Sequence, residues 1–300
     1  MKKRLQSKYT FQQVRGIQKL DKLSWVLGER IDYLIELAAQ KNNYYKPFVD
    51  EQPGKKPREI DQPTGELLRV QTKIRDRLLD LIPLSRIVFG AVEGKSTKMS
   101  AEVHLKKDVV VKLDLKDCYH SSKARRVKQL FKNRFGFSER VSVLLTELCT
   151  FQGSVPVGST LSATLVNLIL NPLWDRIDKY RSTHGMGAST WVDDLAISGK
   201  SAEKHIEAIK KMINSYGYRI SWNKKEIQRK SGPQIVNGGG VNTNRVTVPK
   251  KKRLEIAKAL KEDPHSDSSL GKLVYAKSLS KSQGGQLEKL KLKLVGIQKS

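Results

Sequence analysis

Apolar residues recur at helical spacing over residues 24–40, where Trp25, Leu27, Ile31, Leu34, Ile35 and Leu37 form one stripe. A period near 3.6 residues predicts a helix with that stripe buried. Residues 44–63 fall into short extended runs about a Pro-Gly pair at 53 and 54, which predicts a hairpin with a basic tip. A helix is predicted over 67–81. The Val-rich run 108–115 (DVVVKLDL) is short and bounded by polar residues, so it reads as a buried strand ending among carboxylates. Helices follow over 122–134, 139–150 and 161–181, the last carrying Pro172 as a kink. Residues 188–199 (ASTWVDDLAISG) are two β-prone arms meeting at Asp193 and Asp194. An amphipathic helix over 201–216 starts at a Ser201 cap, with Glu203 and His205 on its solvent side. Short strands over 218–248 turn at Gly238, Gly239 and Gly240, and helices run from Lys250 onwards.

These elements interleave without a regular βαβ period, which makes the expected fold class α+β. The 300 residues, 38% of them hydrophobic, suffice for one large domain or two to three lobes around a cleft. Charge narrows the picture more than size does. Lys and Arg number 57 against 30 Asp and Glu, a formal net charge of +27, and such an excess calls for a polyanionic partner, nucleic acid before membrane. The excess is concentrated, since residues 219–300 hold 19 Lys and Arg against six Asp and Glu. Within them Lys250, Lys251, Lys252 and Arg253 form a run suited to RNA phosphates, the alternative being a solvated basic turn. The basic start is not followed by an apolar stretch, and no run approaches the ~20 apolar residues of a membrane span. A cytoplasmic protein without membrane partners is therefore expected. Cys118 and Cys149 lack CxxC spacing and read as reduced packing residues.

An Asp-Asp pair in a hairpin is, alone, an ordinary turn. Beside Asp114 at the end of a buried strand, Asp193 and Asp194 become a carboxylate cluster suited to hard, oxygen-preferring Mg²⁺. In-line attack of a 3′-hydroxyl on a nucleotide α-phosphate uses two such ions ~3.5–4 Å apart. Asp117 reads as a residue that caps or orients the turn after the strand.

The segments LDLKDCYHS (113–121), VPVGSTLSATLVNLIL (155–170) and WVDDLAISG (191–199) resemble the reverse transcriptase palm in sequence, order and spacing. The resemblance implies a right-hand polymerase with fingers, a palm of antiparallel sheet with helices on one face, and a basic, mainly helical thumb. It implies an N-terminal helical segment over 1–43, fingers over 44–107 with part of 122–160, a palm over 108–225, a connection over 226–249 and a thumb over 250–300. Asp114, Asp193 and Asp194 are then the catalytic metal ligands for two Mg²⁺ ions, with Mn²⁺ as the alternative ion and Leu115 counted in both the metal and the nucleotide site. Tyr119 falls where the family places an aromatic gate against a ribose 2′-OH, selecting dNTPs. The stretch KKPREIDQP resembles the fingers motif that contacts the triphosphate, with Lys56 and Arg58 as its cations. Val157 and Gly158 belong to the nucleotide pocket.

Over roughly residues 25–295 the chain further resembles the bacterial retron reverse transcriptases. Ser100, Ala101, Glu102, Val103 and His104 stand where these usually read Asn-Ala-x-x-His, and Val236, Asn237 and Gly238 where they read Val-Thr-Gly. The resemblance implies RNA contacts at Ser100, His104, Asn237 and Gly238; taken alone, His104 reads as a satisfied structural histidine and Val-Asn-Gly as an ordinary hairpin turn. It also implies a structured noncoding RNA partner, priming from a 2′-hydroxyl within it, a branched RNA–DNA product (msDNA), and an effector protein in anti-phage defence. Two departures fall in the pocket: Trp191 for the usual Tyr and Val157 for the usual Gln. They predict altered nucleotide affinity or fidelity with catalysis retained. A different bacterial defence reverse transcriptase, and a polymerase-like protein that only binds RNA, are the competing readings.

Overall fold

The computed structural model describes residues 9–51 and 56–296, which form two compact units. The first combines residues up to 86 with 115–175 and 216–218. Its helices Leu20–Leu27, Ile31–Ala39, Gly65–Arg77 and Glu139–Cys149 pack around Leu23, Val26, Leu27, Leu34, Leu67, Val70, Ile74, Leu145 and Leu148, all fully buried. The single helix expected over 24–40 is two helices. Gly28 ends the first in a left-handed conformation (φ 59°), which glycine adopts without a Cβ clash. Trp25 on the first helix is 59% and Ile35 on the second 49% exposed, so these two of the six stripe positions lie outside the core.

The hairpin of this unit is β1 (Tyr45–Asp50) antiparallel to β2 (Arg58–Pro63), in register from Tyr45 opposite Pro63 to Asp50 opposite Arg58. Its Pro53-Gly54 tip lies outside the described residues. The helix expected over 122–134 is Ala124–Gln129 followed by a π-helical turn Leu130–Arg134, with a separate short turn Cys118–Ser121 ahead of it. There the rings of Phe131, Phe135 and Phe137 gather with centroids 4.9–6.2 Å apart. Helix Ser162–Thr183 continues through Pro172 as one element, although proline removes one hydrogen bond from the ladder.

The second unit, residues 87–114, 176–215 and 219–296 of the described chain, holds a four-stranded antiparallel sheet. Its strands are β3 (Val109–Asp114), β4 (Gly187–Trp191), β5 (Asp194–Gly199) and β6 (Glu226–Arg229), in spatial order β4-β5-β3-β6. Alternation puts Val109, Val111, Leu113, Leu195 and Ile197 on one face, every one buried. The other face carries Asp114 and Asp194 at one end and Val110, Ala196, Ser198 and Ser189 further along. Val110 and Ala196 share a core with Ile256, Leu260, Leu273, Ala276, Leu279 and Leu287 from helices Lys250–Glu262, Asp267–Leu279 and Lys281–Leu294. The basic C-terminal helices are thus continuous with the sheet's core.

Local expectations differ at three places in this unit. Residues 202–205 form a 3-10 turn before helix Ile206–Ser215, and the Ser201 side chain makes no capping bond. Glu203 is paired with Arg229 at 2.8 Å, and the His205 Nδ1 lies 2.9 Å from the Tyr180 hydroxyl, so both are engaged rather than simply solvated. The tight turn between β7 (Ile235–Val236) and β8 (Gly239–Gly240) is made by Asn237 and Gly238, both at positive φ (46° and 79°), while Gly239 and Gly240 belong to the strand.

Candidate active site

In the second unit, register brings the carboxylates together. Asp114 is the last residue of β3, Asp194 the first of β5, and the two are direct partners across the ladder. Asp194 also pairs with Trp191 on β4, which leaves Val192 and Asp193 as a two-residue hairpin loop. Val192 is a buried, β-branched residue at φ 60°, a conformation that persists only where its surroundings hold it. The segment before β3 does so. Thr190 donates its N–H to the Ile87 carbonyl at 2.7 Å and accepts the Phe89 N–H at 2.9 Å. A Cβ on Gly90 would stand 2.8 Å from the Val192 nitrogen and 2.9 Å from the Trp191 Cα, so only glycine lets this brace lie against the loop.

Burial raises the Asp194 carboxyl to about 6, and Asp193 and Asp114 push the same way, while Lys112 and Lys224 oppose them. By accessible area the Asp194 residue is nevertheless exposed. The Lys224 ammonium donates to both Asp114 carboxylate oxygens at 3.0 Å, and the Ser221 N–H donates to the Asp114 carbonyl at 2.8 Å. Lys224 escaped the sequence reading because its partner lies 110 residues away. Its only sequence signal is position, in the last basic pair before β6. Among the described residues no group of three or more His, Cys, Asp or Glu side chains is arranged to hold a metal ion. The donors nevertheless suit a divalent cation. They are all carboxylate, burial and then their mutual repulsion raise Asp194, and an ammonium already balances Asp114.

The residues expected at the nucleotide lie in the first unit. Lys56 and Arg58 are exposed, Arg58 opening β2 opposite Asp50. The loop at Val157 and Gly158 packs on the same hairpin. The Val157 carbonyl accepts the Asp61 N–H at 2.7 Å, and a Cβ on Gly158 (φ 112°) would approach the Ile60 Cγ2 to 2.6 Å. Below it, the buried Gln71 accepts from the Ser159 hydroxyl at 2.6 Å and donates to the Tyr45 hydroxyl at 3.0 Å and the Leu148 carbonyl at 2.8 Å. Gln71 fixes the loop, and sequence reasoning missed it as one polar residue on an amphipathic helix. Burial also raises the Asp61 carboxyl, opposed by His120. Leu115 is buried, and Tyr119 is half-buried in the turn Cys118–Ser121. Asp117 sits at φ 47° ahead of that turn. Its carbonyl accepts the Ser121 N–H, and its side chain makes no cap.

The residues expected at RNA divide. Lys250 and Lys251 are exposed, Lys252 is paired with Glu255 at 3.0 Å, and Arg253 is half-buried. Ser100 and His104 are wholly buried, so as placed they offer no surface to RNA. The His104 Nδ1 lies 2.7 Å from the Ser198 hydroxyl and its Nε2 2.8 Å from that of Ser189. The Ser100 hydroxyl donates to Ser189 at 2.9 Å and accepts the Asn237 amide N–H at 2.8 Å. The Tyr275 hydroxyl donates to the Asn237 carbonyl at 2.9 Å and packs against Gly238. Burial holds the His104 imidazole down at about 3, so it is neutral.

A family model described as reverse transcriptase (RNA-dependent DNA polymerase) matches residues 49–260. The chain is 31% identical over 222 residues to the Retron Se72 reverse transcriptase of Salmonella heidelberg, covering 71% of this chain and 58% of that protein. It is 28% identical over 207 residues to the Retron Ec86 reverse transcriptase of Escherichia coli, covering 68% of this chain and 64% of that one. The chain thus spans about three fifths of the length of these relatives. Among solved structures, telomerase from Candida albicans aligns with a TM-score of 0.49 at 14% identity, over 83% of this chain and 55% of that chain. Among the described residues no helix is long and apolar enough to cross a membrane.

Proposed function

Because the chain belongs to the reverse transcriptase family of RNA-dependent DNA polymerases, we propose that it is a retron-type enzyme copying part of a structured noncoding RNA into a branched RNA–DNA molecule. The observation that carries this reading is the register pairing of Asp114 with Asp194 beside the Val192-Asp193 loop. When bound, two Mg²⁺ ions would activate the attacking hydroxyl and neutralise the leaving pyrophosphate. Asp114, Asp193 and Asp194 are the residues that would hold them. Lys224 donates to both oxygens of the Asp114 carboxylate and so holds its orientation.

In this reading Lys56 and Arg58 neutralise the triphosphate and Tyr119 excludes a ribose 2′-OH. The hairpin packed on Val157 and Gly158 carries Arg58 as the first residue of β2, with Lys56 two residues before it. The exposed Lys250 and Lys251 meet RNA phosphates. An effector protein and a place in anti-phage defence complete the proposal, on the similarity to the retron relatives.

The purified protein, given RNA transcribed beside its own gene, dNTPs and Mg²⁺, is expected to make DNA joined to that RNA. Asp193→Ala with Asp194→Ala is expected to abolish incorporation. Persistent synthesis by that variant overturns the ligand assignment. Copurifying nucleic acid supports the retron type if sequencing returns one defined RNA joined to DNA, and random DNA removes it.

A further inference from the structure

We propose that His104 is a positioning residue that holds the β4–β5 hairpin, and with it Asp193 and Asp194, in place opposite Asp114, as one end of a hydrogen-bonded line reaching the C-terminal helices. The inference rests on the polymerase reading of the carboxylates and assigns His104 a task other than touching RNA.

The direction of the line follows from the donors. Asn237 donates to Ser100 and Ser100 donates to Ser189. The Ser189 hydroxyl therefore has its own proton for His104 Nε2, which accepts it, and the remaining ring proton on Nδ1 goes to Ser198. One tautomer of a neutral ring satisfies every bond, in a place no water reaches.

The geometry suits a clamp. Ser198 is opposite Gly187 in the β4–β5 register, and Ser189 is two residues along from Gly187 on the same face. The two hydroxyls are therefore diagonal neighbours, on backbones ~7–8 Å apart, a gap that an imidazole with one hydrogen bond at each nitrogen spans. Gly187 clears the approach. A Cβ there would stand 2.7 Å from the Ser198 Oγ and 2.8 Å from the Val103 carbonyl, the residue before His104.

The clamp grips both arms of the hairpin whose loop holds the strained Val192. β5 is paired along its length with β3, whereas β4 is the outer strand of the sheet, so tying Ser189 on β4 to Ser198 on β5 restrains the twist of the outer arm. At ~3.3 Å per residue, Ser198 is roughly 13 Å along β5 from Asp194, close enough for a twist at one end to displace the carboxylate at the other. At the far end, Tyr275 ties the Asn237 turn to helix Asp267–Leu279.

The test is direct Mn²⁺ binding by electron paramagnetic resonance, with dNTP incorporation measured in parallel and folding followed by circular dichroism. His104→Leu is expected to weaken Mn²⁺ binding about tenfold or more. His104→Asn retains one polar atom near the Nδ1 position and His104→Gln one near Nε2, and each is expected to recover part of the loss. If His104→Leu does not fold, the Asn and Gln variants carry the test. Folded variants that bind Mn²⁺ as the wild type does overturn the proposal, including the case in which they lose RNA affinity instead. A wild type that binds Mn²⁺ but incorporates no dNTP sinks the polymerase reading and leaves the clamp standing.

Discussion

Asp114 and Asp194 face each other as direct partners across the antiparallel pair β3–β5, so two carboxylates share one rung of the ladder. Like charges placed opposite in a sheet destabilise it. Here burial and the two neighbouring aspartates raise the Asp194 carboxyl to about 6. A raised carboxyl means the folded protein keeps its proton between the ordinary value of 3.8 and about 6, while the unfolded chain has lost it. Stability from this group is therefore present at low pH and declines as pH rises through that window.

Asp194→Asn is accordingly expected to abolish nucleotide incorporation and yet raise the stability of the metal-free protein above pH 6. The exposure of Asp194 keeps that gain below what the shift alone suggests. Urea unfolding in chelator at pH 5 and pH 7.5 checks it. A variant no more stable than the wild type at the higher pH contradicts the crowding.

His104 predicts the opposite slope. Its folded value of about 3 lies below the ordinary 6.5, so between these limits the unfolded chain holds a proton that the native state refuses. Stability from this group is complete above about 6.5 and is lost as pH falls, by up to about 1.4 kcal/mol per pH unit. Its window overlaps that of Asp194, so the wild-type curve alone mixes the two. The difference between wild type and His104→Gln isolates it, and parallel pH dependences in the two proteins would contradict a neutral buried imidazole.

Gly158 predicts a fingers-side effect. At φ 112°, with Ile60 Cγ2 where a Cβ would go, alanine at this position strains the backbone and pushes β2 away. Gly158→Ala is expected to cost about 1–3 kcal/mol. It is also expected to raise the dNTP KM more than it lowers kcat, because Lys56 and Arg58 adjoin and open the strand that moves. Thermal unfolding and steady-state incorporation read the two effects separately.

Much of this was legible along the chain, and the rest failed for identifiable reasons. The strand ending at Asp114 could be read because Val109, Val110 and Val111 are β-branched and buried on both faces. The hairpin could be read because Asp193 and Asp194 interrupt two β-prone arms. The split at Gly28 was lost because the apolar period continues across it, and period alone cannot tell that Trp25 and Ile35 end outside the core. Lys224 was invisible because its bond to Asp114 exists only once the chain between them has folded. Ser100, His104 and Asn237 were noticed, and a structural histidine was one reading of His104, but the bonds themselves could not be read because the partners come from four separate stretches of chain.

The basic C-terminal unit makes a claim that salt can test residue by residue. Lys250 and Lys251 are exposed at the start of helix Lys250–Glu262, whereas Lys252 already spends its ammonium on Glu255. If the first two meet RNA phosphates, replacing both with alanine removes two counterion-release events. The slope of log affinity against log salt should then become shallower by about 1.5. Lys252→Ala should change that slope by much less, because its charge is compensated before RNA arrives. Fluorescence anisotropy with the protein's own RNA across a salt series measures all three variants. Equal slopes for the wild type and the double variant would place Lys250 and Lys251 in solvent, and the phosphate contacts would then belong to the other exposed lysines of this unit.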